Sequence, residues 1–237
     1  MKKHKLSPDA CVQLVKQLAF QKMYGRPGVT YESAQTRKFK KGRTEVIRSV
    51  SNEASAWVRA MLDSSSSTRQ DPTHLRTLFQ RAVARHIQYS MWAADGQGVD
   101  RHLFGLKKSL REGEEVPGIF KDGAYGKSSH WELSTSQLSS VYFDGWGYGE
   151  GGFSCISFFS ALGLTGFSVV VVPDGYGLSY AIGDEYIRWT ITSLKRNTAE
   201  LKHYLAEAAT EVRDMLEAAK KMDAQKAEGH DEEKAKL

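Results

Sequence analysis

Residues 176–193 read Tyr176-Gly-Leu-Ser-Tyr-Ala-Ile182, then Gly183-Asp184-Glu185, then Tyr186-Ile-Arg-Trp-Thr-Ile-Thr-Ser193. Two runs rich in aromatic and β-branched residues, flanking Gly183-Asp184, predict a β-hairpin. Upstream, Trp131-Glu132-Leu133 and Val141-Tyr142-Phe143 read as short strands, and 169–173 is a β-branched run. Downstream the apolar period changes to that of a helix, from about 197 to 222. Earlier in the chain the signals are helical. Ser7-Pro8-Asp9 combines an N-cap, a first-turn proline and an acid facing the positive dipole end. Val12, Leu14, Val15, Leu18 and Ala19 form one apolar face, and Gly25 closes the helix. Gly25 to Gly42 is punctuated by Gly and Pro and becomes strongly basic from Arg37 to Arg43. Residues 53–63 predict a second helix, 64–68 a surface loop, and about 73–94 and 99–112 two further helices. Helices first, then strands, then a closing helix predict a mixed α/β (α+β) domain, a central mixed β-sheet flanked by helices.

Composition agrees with an ordinary globular chain. In 237 residues, 41% are hydrophobic and 26% charged, which excludes collagen, a disulfide miniprotein and wholesale disorder. Cys11 and Cys155 build no disulfide framework, and no Cys/His cluster offers a metal site, so the expectation is no bound metal and a reducing interior. The net charge of +5 is local. Residues 1–48 hold twelve Lys/Arg against Asp9, Glu32 and Glu45, so the remainder is slightly acidic. A basic end on a near-neutral body points to an anionic small ligand rather than nucleic acid.

Neither terminus reads as a secretory or membrane signal. Met1-Lys-Lys-His-Lys5 leads into an amphipathic helix and not into an apolar core. Residues 219–236 are polar, and Ala235-Lys236-Leu237 resembles Ser-Lys-Leu, the address read by the peroxisomal import receptor. Residues 151–172 carry no charge and have the length of a bilayer span, but their setting between glycine-rich turns reads as a buried strand pair. No integral membrane span is expected.

The residues by themselves show no complete active site. Gly-x-Ser-x-Gly, P-loop and dinucleotide fingerprints are absent, and the seven histidines are scattered. His102, beside Asp100-Arg101, reads as a helix-face polar residue and not as a base. What remains are binding parts: a basic start entering a helix N-terminus, and Ser134-Thr135-Ser136 at a strand end.

Six segments then occur in a telling order: Ser7-Pro-Asp-Ala10, Thr30-Tyr-Glu-Ser-Ala34, Gly42-Arg-Thr44, Asp100-Arg-His-Leu103, Leu133-Ser-Thr-Ser-Gln137 and Val172-Pro-Asp-Gly-Tyr-Gly177. Together they resemble the carboxyl-terminal half of the choline/carnitine acyltransferases, and within that family the fungal carnitine O-acetyltransferases, from Lys5 to the last helix. The resemblance implies a chloramphenicol acetyltransferase-like fold over residues 1–218, followed by a polar tail at 219–237. It implies reversible acetyl transfer between acetyl-CoA and carnitine, with coenzyme A as a co-substrate and not a permanent cofactor. Lys2, Lys5, Ser7, Asp9 and Gln137 match coenzyme A contacts. A lysine supplies a point charge for the 3′-phosphate, and phosphate favours helix N-termini. Arg101 matches the residue that balances the carnitine carboxylate. Tyr31 and Thr44 match its hydrogen-bond donors, and Ser33 and Ser134 add to the carnitine side. Choline has no carboxylate, so Thr44 and Arg101 together favour carnitine. Ser136 matches the hydroxyl that steadies the tetrahedral oxyanion.

The resemblance also marks departures. The family's general-base histidine belongs to the amino-terminal half, and none of the seven here matches it, so this chain is expected to be inactive alone. A non-catalytic coenzyme A- or carnitine-binding remnant, or a half-protein that needs a partner chain, is the alternative. Ile87 stands where animal relatives carry an arginine contact. Trp146 and Tyr148 fall where bulky residues shorten the acyl pocket. Residues 151–170 read as an insertion with the character of an in-frame intron, since joining Glu150 to Val171 restores the family spacing. The expected location is the peroxisome, with the mitochondrion as a second address and the cytoplasm otherwise.

Overall fold

The computed structural model describes residues 1–63, 71–138, 172–184 and 186–234. The expected strand at Val141–Phe143, the segment 151–170, Trp146, Tyr148 and Ala235-Lys236-Leu237 lie outside the described residues. The chain divides into two units, Met1–Pro27 with Ser51–Ile87 and His203–Leu237, and Gly28–Val50 with Gln88–Lys202.

The first unit is helical. A 3-10 turn at Lys2–His4 leads into α1 (Pro8–Tyr24). Extended Ser7 caps α1, its hydroxyl accepting from the Ala10 N–H at 3.4 Å. Gly25, at φ 69°, closes the helix with its N–H on the Gln21 carbonyl. Only a residue without a Cβ takes that left-handed turn cheaply. Both caps agree with the sequence, but the single apolar face does not. Every residue from Ala10 to Phe20 is buried, Gln13, Lys16 and Gln17 included. The second helix, α2, spans Asn52–Leu62 and is capped by Ser51. Its Trp57 packs at 4.8 Å, tilted by 60°, against Phe79 of α3 (Pro72–Ala94), and both rings are fully buried. Truncating either to alanine costs about 3–5 kcal/mol.

The closing helix, Thr198–Lys234, is the longest element among the described residues. Its buried positions Leu205, Ala208, Val212, Met215, Leu216 and Ala219 recur every three or four residues, one face of a helix. Lys22 of α1 meets Glu207 at 3.1 Å and Glu211 at 2.5 Å on its flank, and Arg76 pairs with Asp223. The sequence pattern ends near 222, whereas the helix runs to Lys234.

The second unit carries the sheet. Its strands are β1 (Thr30–Gln35), β2 (Thr44–Ile47), β3 (Leu133–Gln137), β4 (Tyr176–Ile182) and β5 (Ile187–Thr192), in spatial order β2-β1-β3-β4-β5. β1 is antiparallel to β2 and parallel to β3; β3 is parallel to β4; β4 is antiparallel to β5. The β4–β5 hairpin stands where its sequence placed it. Three expectations need correction. β1 and β2 precede α2, so helices and strands interleave instead of forming blocks. Trp131–Leu133 is not a strand; β3 starts at Leu133, which puts Ser134 and Ser136 inside the strand and not at its end. The helix expected over 99–112 is α4 (Asp100–Lys108), and two short helices follow, α5 (Gly118–Lys121) and α6 (Gly123–Ser128), before the last helix, α7 (Thr198–Lys234).

The turn joining β1 to β2 holds the basic run. Gly42 donates to the Phe39 carbonyl at 2.9 Å, and a Cβ at Gly42 would lie 2.0 Å from the Thr36 carbonyl oxygen. No side chain fits there. Among the described residues no helix is long and apolar enough to cross a membrane.

Candidate substrate-binding face of the sheet

Register sorts the sheet residues into two faces, because directly paired residues project to the same side and alternate residues to opposite sides. Tyr31 pairs with Ser134, Ser134 with Gly177, Ser136 with Ser179, Ser33 with Val46 and Gln35 with Thr44. Ser179 and Gly177 pair in turn with Thr190 and Thr192. One face therefore collects Tyr31, Ser33, Thr44, Ser134, Ser136, Ser179, Thr190 and Thr192. The other face carries Ala34, Ile47, Leu133, Tyr176, Leu178 and Tyr180, all buried, and packs Ala34 and Ile47 against Ala93 and Tyr89. That second face also buries Thr30, Glu32, Glu45 and Thr135, so the two faces differ in that the first gathers the half-buried hydroxyl residues Tyr31, Ser33, Thr44 and Ser136.

Arg101 joins that face from the edge. α4 contacts edge strand β2, and Asp100 opens its first turn. The Arg101 backbone N–H lies 3.3 Å from both carboxylate oxygens of Glu45, a buried residue that also accepts from the Val46 N–H at 2.7 Å. The guanidinium then donates to the Thr44 carbonyl at 3.0 Å, the Thr44 hydroxyl at 3.1 Å and the Tyr31 hydroxyl at 3.2 Å. All three acceptors are neutral. Among the described residues the exposed guanidinium thus meets neutral oxygens, which leave its charge uncompensated for an incoming anion, and its planar fork matches a carboxylate.

Gly98 makes this approach possible. A Cβ there would meet Glu45 Cγ at 2.3 Å and Cδ at 2.6 Å.

The structure thus brings Arg101, Tyr31 and Thr44 into hydrogen-bond contact. Ser33, Ser134 and Ser136 share their sheet face; Ser134 is buried and Ser136 is half-buried. Gln137 is exposed at the last position of β3, on the opposite face.

Lys2, Lys5, Ser7 and Asp9 belong to the helical unit. Lys2 lies in the 3-10 turn, and Lys5 is exposed with φ 55°. The Ser7 hydroxyl is engaged as the α1 cap, and Asp9 sits 3.6 Å from the His86 ring. Ile87 is exposed on α3.

Glu45, Gly98 and the pair Arg48–Asp100 are site residues that sequence reasoning left aside. The signal for Glu45 was slight: a single acid in an otherwise basic stretch.

Comparison with known proteins fits this arrangement. The model of the family described as Choline/Carnitine o-acyltransferase matches residues 1–207. The chain is 36% identical to carnitine O-acetyltransferase of Columba livia over 225 residues, which cover 93% of this chain and 32% of that protein. It is 36% identical to mitochondrial carnitine O-acetyltransferase of Saccharomyces cerevisiae over 229 residues, 94% of this chain and 31% of that protein. Mitochondrial carnitine O-palmitoyltransferase 2 of Homo sapiens is 37% identical over 219 residues, 92% of this chain and 30% of that protein. The chain spans about a third of the length of these curated relatives. With its match to the family model over most of its length, and six ordered motifs laid along one sheet and two helices, the chain belongs to the choline/carnitine O-acyltransferase family.

Proposed function

We propose that this chain supplies the carnitine-binding wall of a carnitine O-acetyltransferase, which moves an acetyl group reversibly between acetyl-CoA and carnitine. The observation that carries the reading is the Arg101 guanidinium, bonded to Thr44 and Tyr31 and, among the described residues, to no carboxylate side chain. Carnitine is a zwitterion, and its carboxylate is the anion this fork accepts. That contact and the hydroxyls of Tyr31, Thr44, Ser33 and Ser134 orient the substrate on the face that bears Ser136.

In the reaction, a general base takes the proton of the carnitine hydroxyl as its oxygen attacks the thioester carbon. The new C–O bond leaves a tetrahedral oxyanion, and the Ser136 hydroxyl donates to it where the charge develops. Collapse breaks the C–S bond, and the coenzyme A thiolate takes the proton back from the base. By family resemblance the base is a histidine outside this chain, so the 237 residues alone bind but do not turn over. Lys2, Lys5, Ser7, Asp9 and Gln137 are assigned to coenzyme A by the same resemblance. Acetyl preference rests on the resemblance to carnitine O-acetyltransferases, since the positions matching the acyl pocket lie outside the described residues.

The test is binding of carnitine and of choline to the chain, followed by NMR titration. Arg101→Gln should weaken carnitine about tenfold or more, the scale of a lost hydrogen-bonded charge pair, and leave choline unchanged. Equal affinities for carnitine in both proteins would remove the reading.

A further inference from the structure

We propose that Arg48 is a positioning residue for the carnitine-carboxylate site, acting through Asp100 on Arg101; this rests on the carnitine reading above. Arg48 directly follows β2 and converges on three neighbours. Its Nε donates to Asp100 Oδ2 at 3.0 Å and its Nη2 to Asp100 Oδ1 at 2.6 Å, a two-pronged pair. Its Nη1 donates to the Ser128 carbonyl at 2.8 Å, at the end of α6. Its guanidinium carbon stands 4.7 Å from the centre of the Trp131 ring. Trp131 in turn meets the Tyr31 ring edge-on at 5.6 Å. One side chain thus ties the end of β2, the first residue of α4, the end of α6 and the ring beside Tyr31.

The consequence falls on Arg101. A free arginine side chain samples many rotamers, and its guanidinium can be held in one place only relative to a backbone that is itself placed. Two contacts place that backbone. Glu45 accepts the Arg101 N–H, and Arg48 grips the residue before it. The Asp100 side chain is 11% exposed and that of Arg48 26%, so the pair is shielded enough to be rigid. Successive residues of a helix leave it in different directions, so Asp100 anchors the first turn while Arg101 projects to Thr44 and Tyr31. Without the Arg48–Asp100 fork the Arg101 backbone loses one of these two contacts, and the three guanidinium bonds of Arg101 lose their common geometry.

Two explanations compete, and they predict opposite signs. If Arg48 acted only as a nearby positive charge, Arg48→Lys would preserve carnitine binding and Asp100→Asn, by removing a negative charge, would strengthen it. If Arg48 positions Arg101, both substitutions weaken it, because neither retains the fork.

The experiment uses the 237-residue chain as wild type, Arg48→Lys, Arg48→Gln, Asp100→Asn and Arg101→Gln. Proton exchange of the Arg101 Nε–H, a donor to the Thr44 carbonyl, is followed by NMR together with carnitine and choline affinity and the melting temperature. The expected result is faster exchange of that proton, by about tenfold or more, in all three Arg48 and Asp100 variants. Carnitine should weaken about tenfold to a hundredfold, the scale of an ångström of misplacement, with choline unchanged. Wild-type exchange in the folded Asp100→Asn or Arg48→Lys protein overturns the inference, as does tighter carnitine binding in Asp100→Asn. Failure of the carnitine reading shows separately: Arg101→Gln then leaves carnitine affinity unchanged, while the Nε–H exchange still decides the role of Arg48.

Discussion

Gly98→Ala is a one-carbon change whose cost follows from geometry. The new Cβ would lie 2.3 Å from Glu45 Cγ, 2.6 Å from Cδ and 3.0 Å from Oε2. Real carbon contacts do not close to that distance, so Glu45 or the α4 approach must move. Glu45 cannot swing away cheaply. It is 3% exposed, and its carboxylate accepts from the Val46 and Arg101 backbone N–H groups. Overpacking costs about 1–3 kcal/mol, and losing one hydrogen bond to a charged group costs about 1.5–3 kcal/mol. Partial relaxation makes about 2–5 kcal/mol the expected range, or a melting point lower by about 5–15 °C in a chain of this size.

Thermal unfolding followed by circular dichroism measures it, and Gly105→Ala is the control. Gly105 sits in α4, which Gly98 precedes, with nothing within 4 Å of its would-be Cβ, so alanine there should be neutral or gain up to about 1 kcal/mol from helix propensity. Glu45→Ala supplies the second check. It removes the obstructing atoms, so adding Gly98→Ala to it should cost at least about 1 kcal/mol less than in the wild-type background. A Gly98→Ala protein that melts with the wild type, or a penalty that persists after Glu45→Ala, refutes the steric account.

Two further outcomes test other parts of the molecule. Burial pushes the Cys11 thiol up to about 12, and the side chain is 1% exposed, so a maleimide at neutral pH should label it only at the rate of unfolding; rapid labelling of the native chain contradicts this. Burial raises the Asp174 carboxyl, but hydrogen bonds from His130 and its own backbone N–H, with the charges of His130 and Arg196, outweigh that and hold it below its ordinary value of 3.8. A depressed carboxyl adds stability that is complete above the unfolded value and is lost as pH falls through the folded one. Acid denaturation of Asp174→Asn should therefore be shallower than wild type below about pH 4 and indistinguishable above pH 6; equal slopes in acid would discount the His130–Asp174 pair.

What could be read from the sequence was local in origin. Ser7 and Gly25 delimit α1 through contacts within four residues. The β4–β5 hairpin follows from two apolar-aromatic runs and a tight Gly-Asp turn, and α7 from its own apolar stripe. The ordered motifs carried the family. β1 and β2 could not be read, because their alternation is disguised. β1 buries Thr30, Glu32 and Ala34 and half-exposes Tyr31 and Ser33, so polar residues occupy both faces and no apolar period survives. Helix α1 deceived in the opposite sense, since burial on all sides accepts the polar Gln13, Lys16 and Gln17 that an amphipathic reading assigns to solvent. The site itself is long-range. Arg101 reaches Thr44 across 57 positions and Tyr31 across 70, and Arg48 reaches Asp100 across 52. Only the register of β1 on β2 and β3, and the docking of α4 at the β2 edge, bring these groups within hydrogen-bond distance. The sequence on its own determined which residues were available for binding and where the local elements begin and end. The tertiary structure decided which of those residues meet, because sheet pairing between distant segments is set by the burial of the whole apolar face and not by any one segment's pattern.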